Sequence, residues 1–282
     1  MANEISKVIL ITGCSTGIGR STAERLAGRG YTVYATARRL ESISDLEAKG
    51  CRVLPLDVCN EDSMRAAVTA VEQAHGAVGV LVNNAGYGED GPIEQVAMEA
   101  VRRQFETNVF GLVQLTQLVL PGMRKQRWGR IINVSSMGGK LVFPGWGFYH
   151  ATKFAVEAIS DALRFEVKPF GINVSVIEPG SIRTQFEETS MGSMDSVAPE
   201  GSPYAAFMGR VAERGRATYS GPLAAGPEIV ARAIEHAIKS KRPRTRYPLT
   251  AGARTLLFVR RLLPDRAWDA LMRTQLKSPE AS

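Results

Sequence analysis

The chain has 282 residues, of which 44% are hydrophobic and 22% are charged, so it can bury a large core and does not have the composition of a disordered protein. Its formal net charge is +7, but the basic residues are scattered until about the last forty positions, which disfavours a dedicated nucleic-acid-binding protein. Apolar runs are all shorter than the roughly 18 residues that cross a bilayer, and we interpret the N-terminal MANEISKVILITG as a first strand and not as a signal peptide.

Three cysteines, Cys14, Cys51 and Cys59, are spaced too widely for a metal site and are odd in number. An odd count without metal-ligand spacing is typical of reduced thiols in a reducing compartment. We therefore expect a cytoplasmic protein without a disulfide framework or a bound metal.

Strand-like and helix-like patterns alternate along the chain. Predicted helices follow Gly19 and cover about 42–48, 61–74, 100–124, 149–167 and 227–240, and the predicted strands are KVILIT, YTVYAT, CRVLPL, VGVLVNN, GRIINVSS, INVSVIEPG and the later RYPLTAG. Continuous Val, Ile and Leu runs are typical of strands buried on both faces. The pattern predicts one α/β domain over residues 1–282, a Rossmann-type doubly wound parallel sheet of about seven strands with helices on both faces.

Glycines separate the first strand from the first helix, in the order Gly13, Gly17 and Gly19. Glycine lets a backbone turn tightly and approach a ligand, and a helix N-terminus presents free N–H groups to a pyrophosphate. The alternative is a tight turn that needs glycine for its shape alone. The spacing is GxxxGxG and differs from the widespread GxGxxG dinucleotide pattern.

Polar residues also end the next three strands. Arg38 follows the second strand, where no acidic residue is present to bind ribose hydroxyls, and arginine suits a 2′-phosphate. Asp57 and Val58 follow the third strand and Asn83 through Gly86 the fourth, where each residue could equally serve a turn. The pattern favours NADP(H), with NAD(H) as the alternative.

Tyr149 and Lys153 are four residues apart, so a helix beginning near Phe148 would put both on one face. An adjacent cation favours the phenolate, which would lower the pKa of Tyr149, and Ser136 lies thirteen positions earlier. The alternative is a surface helix with a solvated lysine. We interpret His150 as a residue of the helix surface, with a second base as its alternative.

The region 185–226 is rich in Gly, Pro, Ser, Met and aromatic residues, and we interpret it as a lid over an apolar substrate, with a flexible linker as the alternative. Its apolar residues are Met191, Met194, Tyr204, Phe207 and Met208. Two apolar-basic amphipathic segments form a C-terminal extension over 249–282. Packing at the substrate mouth or on another subunit is favoured for this extension, and weak peripheral membrane contact is the alternative.

Six motifs in collinear order, TGCSTGIG, NNAG, TNVFG, Ser136, YHATK and PGSIRT, resemble the short-chain dehydrogenase/reductase superfamily over about residues 5–248. The first half further resembles the branch that contains 17β-hydroxysteroid dehydrogenase type 1 and the retinol dehydrogenases. The resemblance implies four catalytic residues, Asn108, Ser136, Tyr149 and Lys153. It implies that the cofactor contacts Tyr149 and Lys153 together with Gly13, Ser15, Thr16, Gly17, Ile18, Gly19, Arg38, Asp57, Val58, Asn83, Ala85, Gly86, Pro179, Ile182 and Thr184.

The expected activity is an NADP(H)-dependent interconversion of a carbonyl and an alcohol, in which Tyr149 donates or accepts the proton. Aromatic residues at 143, 146 and 148 and in the lid suggest a bulky apolar substrate such as a steroid, retinoid, fatty or polyketide-like carbonyl, with ordinary core packing as the alternative. Two alternatives are an NAD(H)-using alcohol dehydrogenase and a non-catalytic NADP(H) sensor. Family analogy implies a homodimer or homotetramer joined through helices around 100–125 and 150–168, and no nucleic-acid partner.

Overall fold

The computed structural model describes residues 5–186, 189, 190, 192 and 201–275. The described chain forms one parallel sheet in the order β3-β2-β1-β4-β5-β6-β7. The strands are β1 (Ile9–Ile11), β2 (Val33–Ala37), β3 (Arg52–Pro55), β4 (Val80–Asn83), β5 (Gly129–Val134), β6 (Ile172–Glu178) and β7 (Arg246–Pro248). The predicted doubly wound parallel sheet is confirmed.

Helices connect the strands and cover both faces of the sheet. They are α1 (Gly17–Ala27), α2 (Glu61–His75), α3 (Met98–Phe105), α4 (Gly111–Lys125), α5 (Gly147–Val167), α6 (Ala205–Ser220), α7 (Glu228–Lys239), α8 (Ala251–Leu262) and α9 (Asp265–Gln275). The helix predicted near Phe148 begins at Gly147. In the part of the chain that the structure describes, no helix is both long enough and apolar enough to cross a membrane.

Side-chain alternation along the strands divides the core into two layers. Leu10, Leu81, Ile131 and Val174 are register partners across four strands, and all belong to the layer beneath α2 and α4. Their strand neighbours, such as Ile9 and Ile11, belong to the other layer, beneath α1 and α7. Because both faces are covered, the inner strands are apolar at most positions on either face.

Two predicted helices differ from the structure. Residues 42–48 do not form an α-helix. They belong to two short 3₁₀ segments, Leu40–Ser42 and Ser44–Lys49, on either side of Ile43. The φ of Ile43 is −134°, which is not helical, and its side chain is fully buried. The segment predicted as one helix over 100–124 is interrupted at Glu106–Phe110 by a single π turn between α3 and α4. π turns of this kind are frequent at functional sites.

The region interpreted as a lid is partly helical. Residues 205–220 form α6, which buries Met208, Val211, Ala212 and Tyr219 at helical spacing. This helix was not predicted from the sequence, because glycines and prolines flank its apolar residues. Residues 187, 188, 191 and 193–200, which include Met191 and Met194, lie outside the described residues, as do residues 276–282 of the C-terminal extension.

Candidate active site

A cavity of about 950 Å³ opens at the carboxyl ends of the strands, where the strand order reverses between β1 and β4. In parallel α/β sheets this reversal point is the usual ligand site. Most of the residues predicted for the site line the cavity: Gly13, Ser15, Thr16, Gly17, Ile18, Arg38, Asp57, Val58, Ala85, Gly86, Ser136, Tyr149, Lys153, Pro179, Ile182 and Thr184. Gly19, Asn83 and Asn108 are not among the lining residues.

The glycine loop leaves the start of α1 open toward the cavity. Thr16 occupies the N-cap position, its side chain accepts no capping hydrogen bond, and the first turn of α1 contains no acidic residue. Gly13 and Gly17 adopt φ values of +71° and +58°, a region that favours glycine. Free N–H groups and the positive end of the helix dipole therefore face the cavity, an arrangement that fits a pyrophosphate.

Thr12 and Asn84 join the β1 and β4 loops. The Thr12 hydroxyl accepts hydrogen bonds from the backbone N–H groups of Asn84 and Ala85, both at 3.0 Å. The Asn84 side-chain amide donates to the carbonyl oxygens of Thr12 at 2.9 Å and Gly13 at 3.0 Å. Gly19 packs beneath this junction, since a Cβ there would lie 2.2 Å from the Gly13 oxygen. Gly19 thus shapes the loop from below.

Asn83 does not face the cavity, contrary to the prediction that it contacts the cofactor. It is buried, and its amide donates to Thr116 Oγ1 at 3.1 Å and to Asn133 Oδ1 at 2.9 Å. Neighbouring strand residues point to opposite faces, so Asn84 lines the cavity instead. Because Asn83 and Asn84 are the same residue type, the sequence alone does not show which of them faces the cavity.

The edge of the cavity beyond β2 and β3 carries Arg38, which is exposed, and Asp57. The Asp57 carboxylate accepts the Cys59 backbone N–H at 2.9 Å, so it holds its own turn while lining the cavity. Arg102 and Arg103 of α3 also line the cavity, although the sequence patterns had not singled them out. This part of the site has a surplus of positive charge.

Tyr149 and Ser136 both line the cavity, and the Ser136 hydroxyl affects the pKa of the Tyr149 phenol. Burial raises the pKa of the Tyr149 phenol above its ordinary value, the hydrogen bond with the Ser136 side chain lowers this pKa, and the charge of Asp90 raises it. The net direction is opposite to the predicted lowering by Lys153, because desolvation outweighs the other effects. Tyr149 is therefore a protonated phenol, suited to donating its proton.

Lys153 lies below Tyr149 on the same helix face, with its Nζ atom 5.7 Å from the centre of the tyrosine ring. The ammonium group donates a hydrogen bond to the Val134 carbonyl oxygen at 2.9 Å. Burial lowers the pKa of Lys153 to about 8, while the charge of Glu157 raises it. The lysine is consequently a buried cation that can release its proton slightly above neutral pH.

Asn108 lies in the π turn and is buried behind the cavity wall. Its amide nitrogen donates to the Tyr87 carbonyl oxygen at 2.8 Å and to Thr152 Oγ1 at 3.1 Å, and its Oδ1 accepts the Tyr87 N–H at 3.0 Å. Thr152 belongs to the turn of α5 that carries Tyr149 and Lys153. The Asn108 side chain thus links three segments that surround the site.

Aromatic residues line another side of the cavity: Phe143, Trp146, Phe186 and Tyr219. The ring centre of Phe186 lies 5.2 Å from that of Tyr149. Phe186 and Tyr219 were missed as site residues because the region 185–226 gave no strand or helix prediction. Phe148, one of the aromatic residues used to predict an apolar substrate, packs instead, like Phe105, against the buried cluster of Val96, Ala100 and Val101.

His150 is buried and lines the cavity, so its interpretation as a surface residue is wrong. Its Nδ1 accepts the Phe143 backbone N–H at 3.2 Å, and its ring lies 5.9 Å from those of Phe143 and Trp146. Burial lowers the pKa of His150 to about 3. A histidine that is neutral and already accepts a hydrogen bond shapes the aromatic wall and is poorly placed as a second base.

The loop after β6 closes the cavity opposite the glycine loop. The Pro179 carbonyl oxygen accepts the Met137 N–H at 2.8 Å, which fixes this loop to the segment after Ser136. Ile182 pairs with Ala225, and the Thr184 side chain lies 3.1 Å from the position of a Gly17 Cβ. Residues from the first and sixth strand ends therefore approach each other across the site.

Residues 7–193 match the family model described as short chain dehydrogenase. The uncharacterized oxidoreductase YbbO of Escherichia coli is 36% identical over 269 residues, 95% of this chain and 94% of that protein. The 3-ketodihydrosphingosine reductase of Bacteroides thetaiotaomicron is 45% identical over 183 residues, 64% of this chain and 66% of that protein. Human retinol dehydrogenase 8 is 36% identical over 252 residues, 84% and 79% of the two chains.

Solved structures show the same architecture. A short-chain dehydrogenase from Streptomyces avermitilis is similar with a TM-score of 0.78 at 34% identity, covering 95% of this chain and 98% of that chain. Serine dehydrogenase complexed with NADP⁺ has a TM-score of 0.76 at 26% identity, with 87% and 95% coverage. A Burkholderia phymatum enzyme in complex with NAD has a TM-score of 0.77 at 27% identity over both whole chains. The chain belongs to the short-chain dehydrogenase/reductase family.

Proposed function

We propose that the protein is an NADP(H)-dependent oxidoreductase that interconverts a ketone or aldehyde and an alcohol on a bulky apolar substrate. The observation that carries the proposal is the Tyr149 phenol, which lies in one cavity with Ser136 and the Lys153 ammonium, between the glycine loop and the aromatic wall. A proton donor, a cation and a hydroxyl in one cavity can bind and protonate a carbonyl oxygen on which negative charge develops.

The cofactor supplies the hydride. Ser136 and Tyr149 hold the substrate oxygen through their hydroxyl groups, and Tyr149 transfers its proton to that oxygen during reduction. Lys153 stabilises the phenolate that remains, because a positive charge nearby favours the ionised form. The buried setting strengthens these interactions, since charges attract each other more strongly where water is excluded.

NADP(H) is supported by the charges that line the cavity. Arg38, Arg102, Arg103 and Lys153 are its basic lining residues, against the carboxylates of Asp57 and Glu106. Arg38 follows β2, and its planar guanidinium is suited to charge-assisted hydrogen bonds with a 2′-phosphate. The solved relatives include one complexed with NADP⁺ and one with NAD. The alternative is therefore the same reaction with NAD(H) as the cofactor.

An apolar substrate is supported by the aromatic wall and by two relatives. Phe143, Trp146, Phe186 and Tyr219 surround the end of the cavity near Tyr149. Relatives named for a sphingoid ketone and for retinol act on long apolar molecules. The described part of the region 185–226 packs α6 against Trp146, which is consistent with a lid over this end.

The test is NADPH consumption with a panel of long-chain, steroid, retinoid and small polar carbonyl compounds. We expect turnover on the apolar members, its loss by about a hundredfold or more in Tyr149→Phe, and NADPH binding close to that of the wild type. Tyr31→Phe, outside the cavity, is the matched control and should leave turnover unchanged. Activity confined to small polar carbonyls would refute the substrate class, and tight NADPH binding without any turnover would favour the sensor alternative.

The proposal includes a cytoplasmic homodimer or homotetramer joined through α4 and α5. Phe165 and Phe154 of α5 are 72% and 42% exposed, and Phe110 at the start of α4 is 54% exposed. Large apolar side chains exposed together on helices are typical of subunit interfaces. Light scattering on the wild type and on Phe165→Glu tests this arrangement: the variant should dissociate, whereas an unchanged mass would contradict it.

A further inference from the structure

The net charge of the protein is concentrated in one segment. Residues 239–275 contain ten lysines and arginines against two aspartates, a net charge of +8, whereas the whole chain carries +7. The remaining residues together are therefore close to neutral. The segment follows α7 and includes β7, which is the edge strand of the sheet, together with α8 and α9.

Most of this charge is available to a partner. Arg254 donates a hydrogen bond from its Nε to the Pro248 carbonyl oxygen at 3.0 Å and keeps its charge exposed. Two of the ten basic residues form ion pairs within the protein: Arg246 pairs with Glu157, Asp161 and Glu178, and Arg260 pairs with Asp265 and lies over the Trp268 ring. The other eight are exposed, and among the described residues none of them has a salt bridge within 4 Å: Lys239, Lys241, Arg242, Arg244, Arg254, Arg261, Arg266 and Arg273.

The exposed face of α8 combines this charge with large apolar side chains. Phe258 and Leu262 are each 64% exposed, and Arg254 and Arg261 lie on the same face at helical spacing. The opposite face carries Ala253, which is buried. The helix contains no acidic residue. A helix that exposes apolar and cationic residues on one face suits the boundary between lipid headgroups and acyl chains.

We propose that the α8 face, with the basic residues of 239–275 around it, docks on an anionic lipid bilayer, with Phe258 and Leu262 entering the headgroup region. The basic residues attract the negatively charged surface. The two apolar side chains then lose contact with water. This binding is peripheral and reversible, because its apolar contact is small.

Charge and apolar exposure together separate this partner from two others. A nucleic acid would be bound by the arginines and lysines but would make no use of Phe258 and Leu262. A second copy of the chain would cover the apolar side chains but would bring eight exposed cations against eight more, which like-charge repulsion opposes. An anionic bilayer satisfies both features of the surface.

The position of α8 links this surface to the cavity. Thr250 caps α8, and a Cβ on Gly180 would lie 2.3 Å from the Thr250 Oγ1 and 3.0 Å from the Ala253 Cβ. Gly180 lines the cavity, and its N–H donates to the Leu249 oxygen at 3.2 Å. Docking would place the bilayer on the face of α8 opposite Gly180, with one helix between the lipid and this part of the cavity wall; the use of this placement for an apolar substrate rests on the proposed function, whereas docking itself does not.

The experiment is sedimentation of the full-length protein with vesicles of phosphatidylcholine alone and of phosphatidylcholine mixed with phosphatidylglycerol. We expect binding to the anionic vesicles only, weakened by added salt. The double variant Arg254→Glu/Arg261→Glu should weaken binding by about tenfold or more. The double variant Arg29→Glu/Lys49→Glu changes the net charge equally at exposed positions elsewhere and should retain most of the binding.

A second pair of variants tests the apolar contact. The double variant Phe258→Ser/Leu262→Ser should weaken vesicle binding severalfold without changing the melting temperature or NADPH binding. Vesicle binding and NADPH binding are measured separately, so the docking proposal can fail without the catalytic proposal failing. Equal binding to both vesicle types, or an equal loss in the two charge-reversal variants, would overturn the proposal. The proposal would also be overturned if the protein bound duplex DNA as tightly as vesicles and the serine variants weakened neither interaction. A further contrary result would be a wild-type dimer that the serine variants dissociate, with no vesicle binding.

Discussion

The Lys153 ammonium donates a hydrogen bond to the Val134 carbonyl oxygen at 2.9 Å, in a setting where burial lowers its pKa to about 8. The lysine loses its charge as the pH rises through that value, and the Tyr149 phenol then loses the cation that stabilises its ionised product. Tyr149 itself remains protonated in this range because burial raises its pKa. We therefore expect the rate of carbonyl reduction to fall above about pH 8, as measured by kcat/KM across a pH series.

Lys153→Arg and Lys153→Met identify the source of that decline. The arginine variant keeps its charge at high pH, so its decline should move upward by about a unit or more. The methionine variant should be slower by about a hundredfold at pH 7 and nearly independent of pH. An unchanged decline in the arginine variant would mean that another group titrates.

Arg38→Asp tests the 2′-phosphate assignment. A charge-assisted hydrogen bond contributes about 1.5 to 3 kcal/mol, so the ratio of kcat/KM for NADPH over NADH should fall by at least about tenfold. Arg39→Asp is the matched control, because Arg39 is exposed and adjacent but is not a lining residue of the cavity. If both variants shift the ratio equally, the effect is one of general charge and the assignment is wrong.

Gly19→Ala should destabilise the glycine loop. Its Cβ would lie 2.2 Å from the Gly13 oxygen and 2.5 Å from the Asn84 amide nitrogen, which holds the β1 and β4 loops together. We expect a loss of about 2 kcal/mol or more in unfolding free energy and weaker NADPH binding, measured by urea denaturation and fluorescence titration. Gly209→Ala is the control: it lies in α6 with open space around it, and should stabilise the protein by about 0.5 to 1 kcal/mol.

Asp90→Asn should make the protein more stable above neutral pH. Burial raises the pKa of Asp90 to about 7, far above its ordinary value, while its hydrogen bond with Ser190 lowers it. The folded state therefore binds a proton that the unfolded state releases near pH 4, and stability is lost as the pH rises from about 4 to 7. The asparagine variant avoids this loss and should be more stable than the wild type at pH 8 by about 1 to 3 kcal/mol.

Denaturation at pH 4 and pH 8 distinguishes this effect from a change in packing. The difference between Asp90→Asn and the wild type should be small at pH 4, where the wild-type carboxyl is already neutral. Glu41→Gln, at an exposed position, should show no such pH dependence. A stabilisation of equal size at both pH values would contradict the buried-carboxyl explanation.

The sequence predicted the sheet and most of the site because both depend on local patterns. Apolar runs identified the strands, and every strand end in a parallel sheet delivers its loop to the same edge, so Gly13, Arg38 and Tyr149 could be assigned to one cavity. Tyr149 and Lys153 share a helix face because their spacing requires it.

Features that depend on burial could not be predicted in this way. His150 looked like a surface residue because a helical pattern does not show which loops cover a helix, and the pKa of Tyr149 moves upward because desolvation outweighs hydrogen bonding. Asn83 and Asn84 are chemically identical, so only the strand orientation shows which one faces the cavity. Helix α6 was missed because its apolar spacing is flanked by glycine and proline.

The π turn at Glu106–Phe110 has a consequence for how this region tolerates insertions and deletions. A π turn accommodates one residue more than an α-helical turn, so deleting one residue there would restore regular helix while α4 keeps its rotation relative to α3. Leu115 and Val119 would stay in the core, whereas deleting a residue of α4 ahead of them would rotate both away from the sheet by about 100°. Loss of a single residue beside Asn108 should thus preserve the packing of α4 and change only the turn that carries Asn108, so the extra residue serves the site and not the packing of the helix.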